Sequence, residues 1–180
     1  MKNKIIKEID IPEGINCEYS NYFLKCEKDS VFIKRKITIP EVEIQVKNNK
    51  LKFECKKGNK STYKTIMSFA AHIENMLSGL QKNFIYKLEA CNVHFPMVLK
   101  LEGDKISIGN FLGEKTSRYA KILPNVEVKI NGQQIIISSS DKEAAGQTAA
   151  NLEKSTKIKG RDRRIYQDGI FITQKPGREL

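Results

Sequence analysis

The sequence lacks an apolar run long enough to cross a membrane, and its first ten residues lack the apolar core of a signal peptide. We therefore expect a chain that is neither exported nor embedded in a bilayer. The cysteines are widely and irregularly spaced and include no C-x-x-C pair, which argues against a zinc ribbon or knuckle. We expect reduced thiols, mostly half-buried in strands, at Cys17, Cys26, Cys55 and Cys91.

The signatures of common enzymes are also missing. The sequence has no G-x-S-x-G elbow, no H-E-x-x-H helix and no G-x-x-x-x-G-K-[ST] phosphate loop, and histidine occurs only at His72 and His94. Cys91 and His94 could in principle pair a thiolate with a base, but residues three apart in a strand point to opposite faces. We expect a protein that is not an enzyme, with no catalytic residue, metal, cofactor or small-molecule substrate.

What the chain has in excess is positive charge. Its formal net charge is +11 over 180 residues. Chains this basic usually bind polyanions, most often nucleic acid and next most often an anionic membrane surface. The membrane alternative is weaker because neither predicted helix sets its apolar stripe against a strongly basic face. We therefore predict a nucleic-acid partner and no membrane.

A repeat divides the sequence into two similar halves. Pro12 and Pro96 lie 84 residues apart, and Pro40 and Pro124 have the same separation. At that offset the alternating apolar residues after the second proline of each half match one another. Ile15, Cys17 and Glu18 likewise match Leu99, Leu101 and Glu102. We infer an internal duplication, with a first repeat domain at residues 1–82 and a second at residues 83–180.

Each half is predicted to hold short strands followed by one helix. The first helix is expected at residues 62–81, and the second begins with a capping box in which Ser140 is the N-cap and Glu143 reaches back. The apolar stripes that should face a sheet are Ile66, Phe69, Ala70, Ile73, Leu77 and Leu80 in the first helix, and Ala145, Thr148, Ala149 and Leu152 in the second. The period-two strands around them predict antiparallel sheets.

The predicted turns complete the fold. Asn48-Asn49, Gly103-Asp104 and Asn131-Gly132 are expected between paired strands, and residues 164–173 are expected to form a hairpin that turns at Asp168-Gly169. The predicted class is α+β: two tandem copies of a small domain, each an antiparallel sheet covered by one helix, plus a C-terminal hairpin and a tail from residue 175.

Five of the six arginines and the densest basic run fall in the second half, whereas Arg35 is in the first. Residues 157–164 hold five cations and one anion between the helix and the hairpin. A charge run at a helix end can simply be solvated and favour the helix dipole, but the arginine bias and the loop position favour phosphate contact. The predicted RNA contacts are Lys115, Arg118, Lys157, Lys159, Arg161, Arg163, Arg164, Lys175 and Arg178.

Several strings in the second half resemble one known family. His94-Phe95-Pro96, then Asn110 to Lys115 (Asn-Phe-Leu-Gly-Glu-Lys), Arg118, and Arg164 to Ile172 are similar to the archaeal and eukaryotic branch of the large-subunit ribosomal protein L6 family, called L9 in the older eukaryotic naming. The sequence departs from the family at residues 27–30, where members carry a Gly-Pro-x-Gly loop, and at residues 56–60, where the family's basic run is reduced.

This resemblance implies a structural protein of the cytoplasmic ribosome. It implies two tandem copies of one α+β fold, binding to large-subunit ribosomal RNA mainly through the second domain, and a position near the sarcin–ricin loop where translational GTPases dock. Neighbouring large-subunit proteins would be further partners. The alternative is a nucleic-acid-binding or interaction module outside the ribosome.

Overall fold

A computed structural model of the chain describes residues 3–29, 31–47 and 49–179, without the side chain of Glu179. The chain divides into two units, Met1–Lys82 and Asn83–Leu180. Every strand pairing in the described part of the chain is antiparallel. With one helix in each unit, the predicted α+β class is confirmed.

The first unit contains two three-stranded sheets and a helix. The sheet orders are β1-β6-β5 and β2-β3-β4, so the single sheet expected for this half is divided into two. The elements are β1 Asn3–Asp10, β2 Asn16–Ser20, β3 Phe23–Lys28, β4 Val31–Lys36, β5 Glu43–Lys47, β6 Lys50–Gly58 and α1 Lys60–Gln81. Asn48, half of a predicted turn, lies outside the described residues.

Helix α1 begins two residues before its predicted start because Asn59 caps it. The Asn59 side chain accepts a hydrogen bond from the Thr62 amide at 2.8 Å, which satisfies one of the unpaired donors of the first turn. The predicted stripe faces the core, with Phe69 only partly buried and Met76 as an additional buried residue. The helix packs against β1 and β6 of one sheet and against β3 and β4 of the other.

The second unit repeats this plan and extends it. Its sheets have the orders β11-β12-β7-β13-β14 and β10-β9-β8. The elements are β7 Phe84–Cys91, β8 Val98–Glu102, β9 Lys105–Gly109, a 3-10 turn at Phe111–Gly113, β10 Arg118–Lys121, β11 Glu127–Asn131, β12 Gln134–Ser139, α2 Lys142–Ser155, β13 Gly169–Lys175 and β14 Arg178–Glu179. The strands β7 to β12 follow the order of β1 to β6, and β13 and β14 are additions.

The separation between equivalent positions is not uniform. Strands β5 and β11 start 84 residues apart, as the prolines predict. Strands β2 and β8, however, end 82 residues apart at equivalent hairpin turns. Cys17 therefore corresponds to Leu99, which packs on the core as Cys17 does, and not to Leu101, which is 52% exposed. The predicted match in this hairpin was wrong by two residues because the loops of the two units differ in length.

Helix α2 begins one residue later than the predicted capping box. Its N-cap is Asp141, whose carboxylate accepts from the Glu143 amide at 2.9 Å. Ser139 stays in strand β12, where its hydroxyl donates to the Asn125 carbonyl at 2.7 Å and accepts from the Asp141 amide at 3.1 Å. Ser140 as N-cap is therefore wrong, because its neighbours satisfy the groups that a capping box would use. The predicted small-residue stripe is buried.

The C-terminal hairpin lies further along the chain than predicted. Residues 163–165 form a turn, and strand β13 begins only at Gly169. Strand β13 pairs with β7 on one side and with β14 on the other, so the predicted tail supplies the second strand of the hairpin. The turn predicted at Asn131-Gly132 likewise shifts to Gly132-Gln133, with Gly132 at φ +61. In the described part of the chain, no helix has the length and apolar character needed to cross a membrane.

Candidate nucleic-acid interface

Arg118 joins the loop before β10 to the C-terminal end of α2. Its guanidinium meets the Glu114 carboxylate through two hydrogen bonds, of 2.8 Å from Nε and 2.5 Å from Nη2. Its Nη1 donates to the Ser155 carbonyl at 2.9 Å, and the group lies 4.3 Å from the ring centre of the buried Phe111. Predicted as an RNA contact, Arg118 thus has its donors engaged within the protein.

The same ion pair changes the acidity of Glu114. The hydrogen bonds from Arg118 lower the pKa of the Glu114 carboxyl, while partial burial acts in the opposite direction. Bidentate arginine–carboxylate pairs hold geometry as well as charge. The pair therefore holds Glu114, in the loop of residues 110–117, beside Arg118 and the end of α2.

A second contact joins His94 to Asp168. The Asp168 carboxylate is buried, and it accepts hydrogen bonds from the Val93 and His94 amides at 2.8 and 2.9 Å. Its other oxygen lies 2.6 Å from Nδ1 of His94. Burial alone raises the pKa of Asp168, but the hydrogen bonds from His94 and Val93 outweigh it and lower the pKa to about 2. An ionised carboxylate only accepts, so Nδ1 of His94 carries the proton at neutral pH.

We call the paired His94 and Asp168 side chains the His94–Asp168 clasp. Through Tyr166 the clasp is linked to the basic loop, residues 157–164. The His94 ring stacks on Tyr166 with centroids 4.9 Å apart, and the Arg161 guanidinium lies 4.8 Å from the centre of the same ring. Asp162, the one acid of the loop, accepts from the Arg164 amide at 2.9 Å through its side chain and from the Tyr166 amide at 3.0 Å through its carbonyl. These contacts form a turn in the second half of the loop, over residues 162–166.

The predicted RNA-contact residues other than Arg118 are exposed, and none of them forms an ion pair with a carboxylate in the described part of the chain. Five of these eight cations lie on the basic loop. Lys115 lies on the loop that Arg118 anchors. Lys175 and Arg178 face each other across the β13–β14 hairpin, a like-charge pairing that an anion would relieve.

Two hollows flank the C-terminal end of α2, and Lys154 and Lys157 line both of them. The larger, of about 700 Å³, also contains Arg163 and Tyr166 from the basic loop and its flank. The smaller, of about 410 Å³, also contains Tyr119. Lys154 and Tyr119 were missed by the sequence reasoning because neither belongs to a charge run or a motif.

Asp168 was also missed as a functional residue, although it belongs to one of the quoted strings. Its sequence neighbour Gly169 suggested an ordinary turn, and only its burial and its bonds to residues 93 and 94 reveal its role. The string at residues 94–96 and the one at 110–115 also meet: the Asn110 side chain donates to the Pro96 carbonyl at 3.0 Å. The strings that carry the family resemblance therefore gather into one set of contacts.

The geometry gives no support to a cysteine nucleophile. Cys91 ends strand β7, and His94 lies in the bend beyond it, engaged by Asp168. Burial raises the pKa of the Cys91 thiol, and the charges of Glu89 and Asp168 raise it further. Among residues 3–29, 31–47 and 49–179, no group of three or more His, Cys, Asp or Glu side chains is arranged to hold a metal ion.

Comparison with known proteins gives consistent matches. The family model described as ribosomal protein L6 matches residues 95–169. Over 98% of this chain and 97% of its own length, the large ribosomal subunit protein uL6 of Methanococcus vannielii is 40% identical. The uL6 proteins of Haloarcula marismortui and Methanosarcina mazei are 38% and 39% identical, over 95% and 97% of this chain and 96% and 99% of their own lengths.

Proposed function

The chain belongs to the ribosomal protein L6 family, and from this premise we propose that its second unit binds large-subunit ribosomal RNA. Members of the family are structural constituents of the large ribosomal subunit and not enzymes, so the predictions of a ribosomal protein and of a non-enzyme are confirmed. The predicted location in the large subunit of the ribosome agrees with the same relatives.

The observation that carries the proposal is the ordered basic loop. A flexible charge run binds RNA only after losing conformational entropy, whereas the arginine-bearing part of this loop is already held by contacts of Arg161, Asp162 and Tyr166. None of its exposed cations forms an ion pair with a carboxylate in the described chain, so they can bind phosphates. Contacts to phosphate and ribose recognise the shape of folded RNA with little sequence reading.

We further propose separate roles for the predicted contact residues. The eight exposed cations contact RNA directly, and Arg118 holds the Lys115 loop and the end of α2 in position. In this proposal the units Met1–Lys82 and Asn83–Leu180 are the two repeat domains, and the second faces the sarcin–ricin region, near translational GTPases and neighbouring large-subunit proteins. The arginine content of the second unit and its additional strands support that assignment.

Charge reversal of Arg161, Arg163 and Arg164 together tests the proposal. The triple glutamate variant should be depleted from large subunits separated on gradients in high salt, because it replaces three phosphate contacts by repulsion. A variant with lysine at the same three positions should incorporate better than the glutamate variant. A matched control reverses Lys36, Lys47 and Lys64 in the first unit, all of them exposed.

The outcomes separate the alternatives. Normal incorporation of the arginine-reversal variant would remove the basic-loop proposal. Equal depletion of the lysine-reversal control would show that the second unit is not the main RNA contact. A wild-type protein that binds RNA but never comigrates with large subunits in high salt would favour a nucleic-acid module outside the ribosome.

A further inference from the structure

The smaller hollow combines an exposed aromatic ring with three lysines that form no ion pair in the described part of the chain. It is lined by Arg118, Tyr119, Lys154, Ser155, Lys157 and Lys159 and contains no acidic side chain. The Tyr119 side chain points away from the core because its neighbour on β10, Ala120, is buried, and Tyr119 is 58% exposed. We name this surface the Tyr119 hollow.

Hydrogen bonds join two walls of the Tyr119 hollow, strand β10 and the last turn of α2. Arg118 donates to the Ser155 carbonyl at 2.9 Å, which ties β10 to the last turn of α2, and the Ser155 hydroxyl donates to the Leu152 carbonyl at 2.6 Å. Tyr119 itself is paired with Ser107 in the β10–β9 ladder. A surface whose backbone is already ordered loses little entropy when a ligand binds.

A structural role explains only part of this arrangement. Lys154 lies in the last turn of α2, where a cation favours the helix dipole. Lys157 and Lys159 lie beyond the helix, where the dipole falls off. The dipole also gives no reason for an exposed tyrosine in the same hollow as the three lysines. Aromatic rings beside cations are the arrangement by which proteins hold unstacked bases and the adjoining phosphates.

The larger hollow is a weaker candidate for the same ligand. Its tyrosine, Tyr166, already contacts the His94 ring and the Arg161 guanidinium. Its lining also includes the acidic residues Glu153 and Asp168, which repel phosphate. The charge and the free ring therefore favour the Tyr119 hollow.

We propose that the Tyr119 hollow holds one unstacked nucleotide of single-stranded RNA, its base stacked on Tyr119 and its flanking phosphates bound by Lys154, Lys157 and Lys159. This inference rests on the proposed RNA-binding function and names a site within it. Stacking on a tyrosine face accepts any base, so the site selects an unpaired nucleotide without selecting its identity.

The test uses the full chain and a pentameric oligouridylate as the probe. Tyr119→Ala should weaken binding roughly 5- to 150-fold, the range expected for loss of one base–aromatic stack, and Tyr119→Phe should bind as wild type. A pentamer of abasic ribose phosphates should bind wild type and Tyr119→Ala equally, since it offers charge without a base. An unchanged thermal midpoint for Tyr119→Ala establishes that the variant is folded.

The lysines are tested by their effect on salt dependence. Replacing Lys154, Lys157 and Lys159 by glutamine should weaken binding of both pentamers and make the slope of log affinity against log salt shallower by about 2. A pentamer with a central 4-thiouridine should crosslink to Tyr119 in wild type. Wild-type affinity of Tyr119→Ala for oligouridylate, or a Tyr119→Phe variant as weak as the alanine variant, would overturn the proposal.

Failure of this site and failure of the proposed function give different results. If Tyr119→Ala binds oligouridylate normally while reversal of the three loop arginines blocks incorporation into large subunits, the nucleotide site is refuted and the RNA-binding function stands. If Tyr119→Ala loses oligouridylate while the arginine-reversal variant incorporates normally, the site stands and the basic-loop proposal fails.

Discussion

Nδ1 of His94 lies 2.6 Å from the buried carboxylate of Asp168, a residue 74 positions later in the chain. The bond fastens the segment after β7 to the segment before β13, and the same His94 ring stacks on Tyr166 beside the basic loop. The clasp therefore supports the loop that is proposed to meet RNA.

Removing the charge of Asp168 should loosen the second unit. Asp168→Asn replaces a carboxylate that accepts from two amides and an imidazole, and an amide cannot accept all of these bonds. We expect a loss of about 1–3 kcal/mol in the free energy of unfolding, measured by urea titration. Asp104→Asn, at an exposed turn, is the matched control and should change stability little. Equal effects of both substitutions would contradict a special role for the clasp.

Low pH should destabilise the protein through the same residue, Asp168. The pKa of Asp168 is about 2 in the folded protein and near 4 in an unfolded chain, so folding lowers it. The stability that it contributes is fully present above pH 4 and is lost as the pH falls toward 2. Urea midpoints of wild type should thus fall more steeply across this range than those of Asp168→Asn. Parallel pH profiles would show that Asp168 does not carry the effect.

The one glycine inside α2 is explained by Tyr86. A Cβ at Gly146 would lie 3.0 Å from the Tyr86 hydroxyl oxygen. In Tyr86→Phe, where that oxygen is absent, Gly146→Ala should stabilise by up to about 1 kcal/mol through helix propensity. In wild type the same substitution should raise the free energy of unfolding clearly less, or should lower it. A double-mutant cycle of thermal unfolding measures the difference, and strict additivity would exclude the contact as the cause.

Substitution of Arg118 should lower stability, whereas substitution of Lys115 should lower RNA affinity, although both residues were predicted as RNA contacts. Arg118→Lys cannot reproduce the fork that joins Glu114 to the Ser155 carbonyl, so we expect a loss of about 1–3 kcal/mol in stability. Lys115→Gln removes an exposed charge and should lower RNA affinity with little effect on the unfolding midpoint. The unfolding midpoint and the incorporation into large subunits on gradients, measured for both variants, distinguish the two roles. A stable Arg118→Lys variant with impaired RNA binding would make Arg118 a direct contact.

The thiols should react in an order set by burial and hydrogen bonding. A hydrogen bond from Cys26 lowers the pKa of the half-buried Cys17, which burial acting alone would raise, whereas burial raises the pKa of Cys91. Iodoacetamide at neutral pH, followed by peptide mass spectrometry, should therefore label Cys17 before Cys26, and Cys91 slowly. Labelling of Cys91 faster than a small free thiol would indicate an activated thiolate and reopen the enzymatic alternative.

Local patterns predicted most of the helices and strands. The stripe of α1 and the small-residue stripe of α2 are buried as the 3.6-residue period requires, and strands β8 and β9 flank the turn predicted at Gly103-Asp104. The errors lie at the boundaries. Asp141 replaced Ser140 as N-cap because Ser139 bonds to Asn125, which is distant in sequence. No local pattern contains that partner.

The predicted hairpin at residues 164–173 failed for a similar reason. Asp168 and Gly169 form a common turn pair, but the Asp168 carboxylate is bound by amides 74 and 75 residues away. Strand β13 pairs with β7 and β14 instead. Residues 157–164 lie in a loop after α2, as the sequence predicted, whereas Tyr119 and Lys154 line one hollow only because β10 packs beside α2.

By itself, the sequence determined the charge, the α+β class, the repeated plan and the strings that resemble the L6 family, because each depends on composition or on neighbours within a few residues. The tertiary structure decided which charged groups are engaged and which are free. Arg118 and Asp168 carry charge like their neighbours in the sequence, yet contacts 37 and 74 residues away bind them within the fold. A charge is available to RNA only where no folded partner satisfies it, and those partners are assembled by long-range packing.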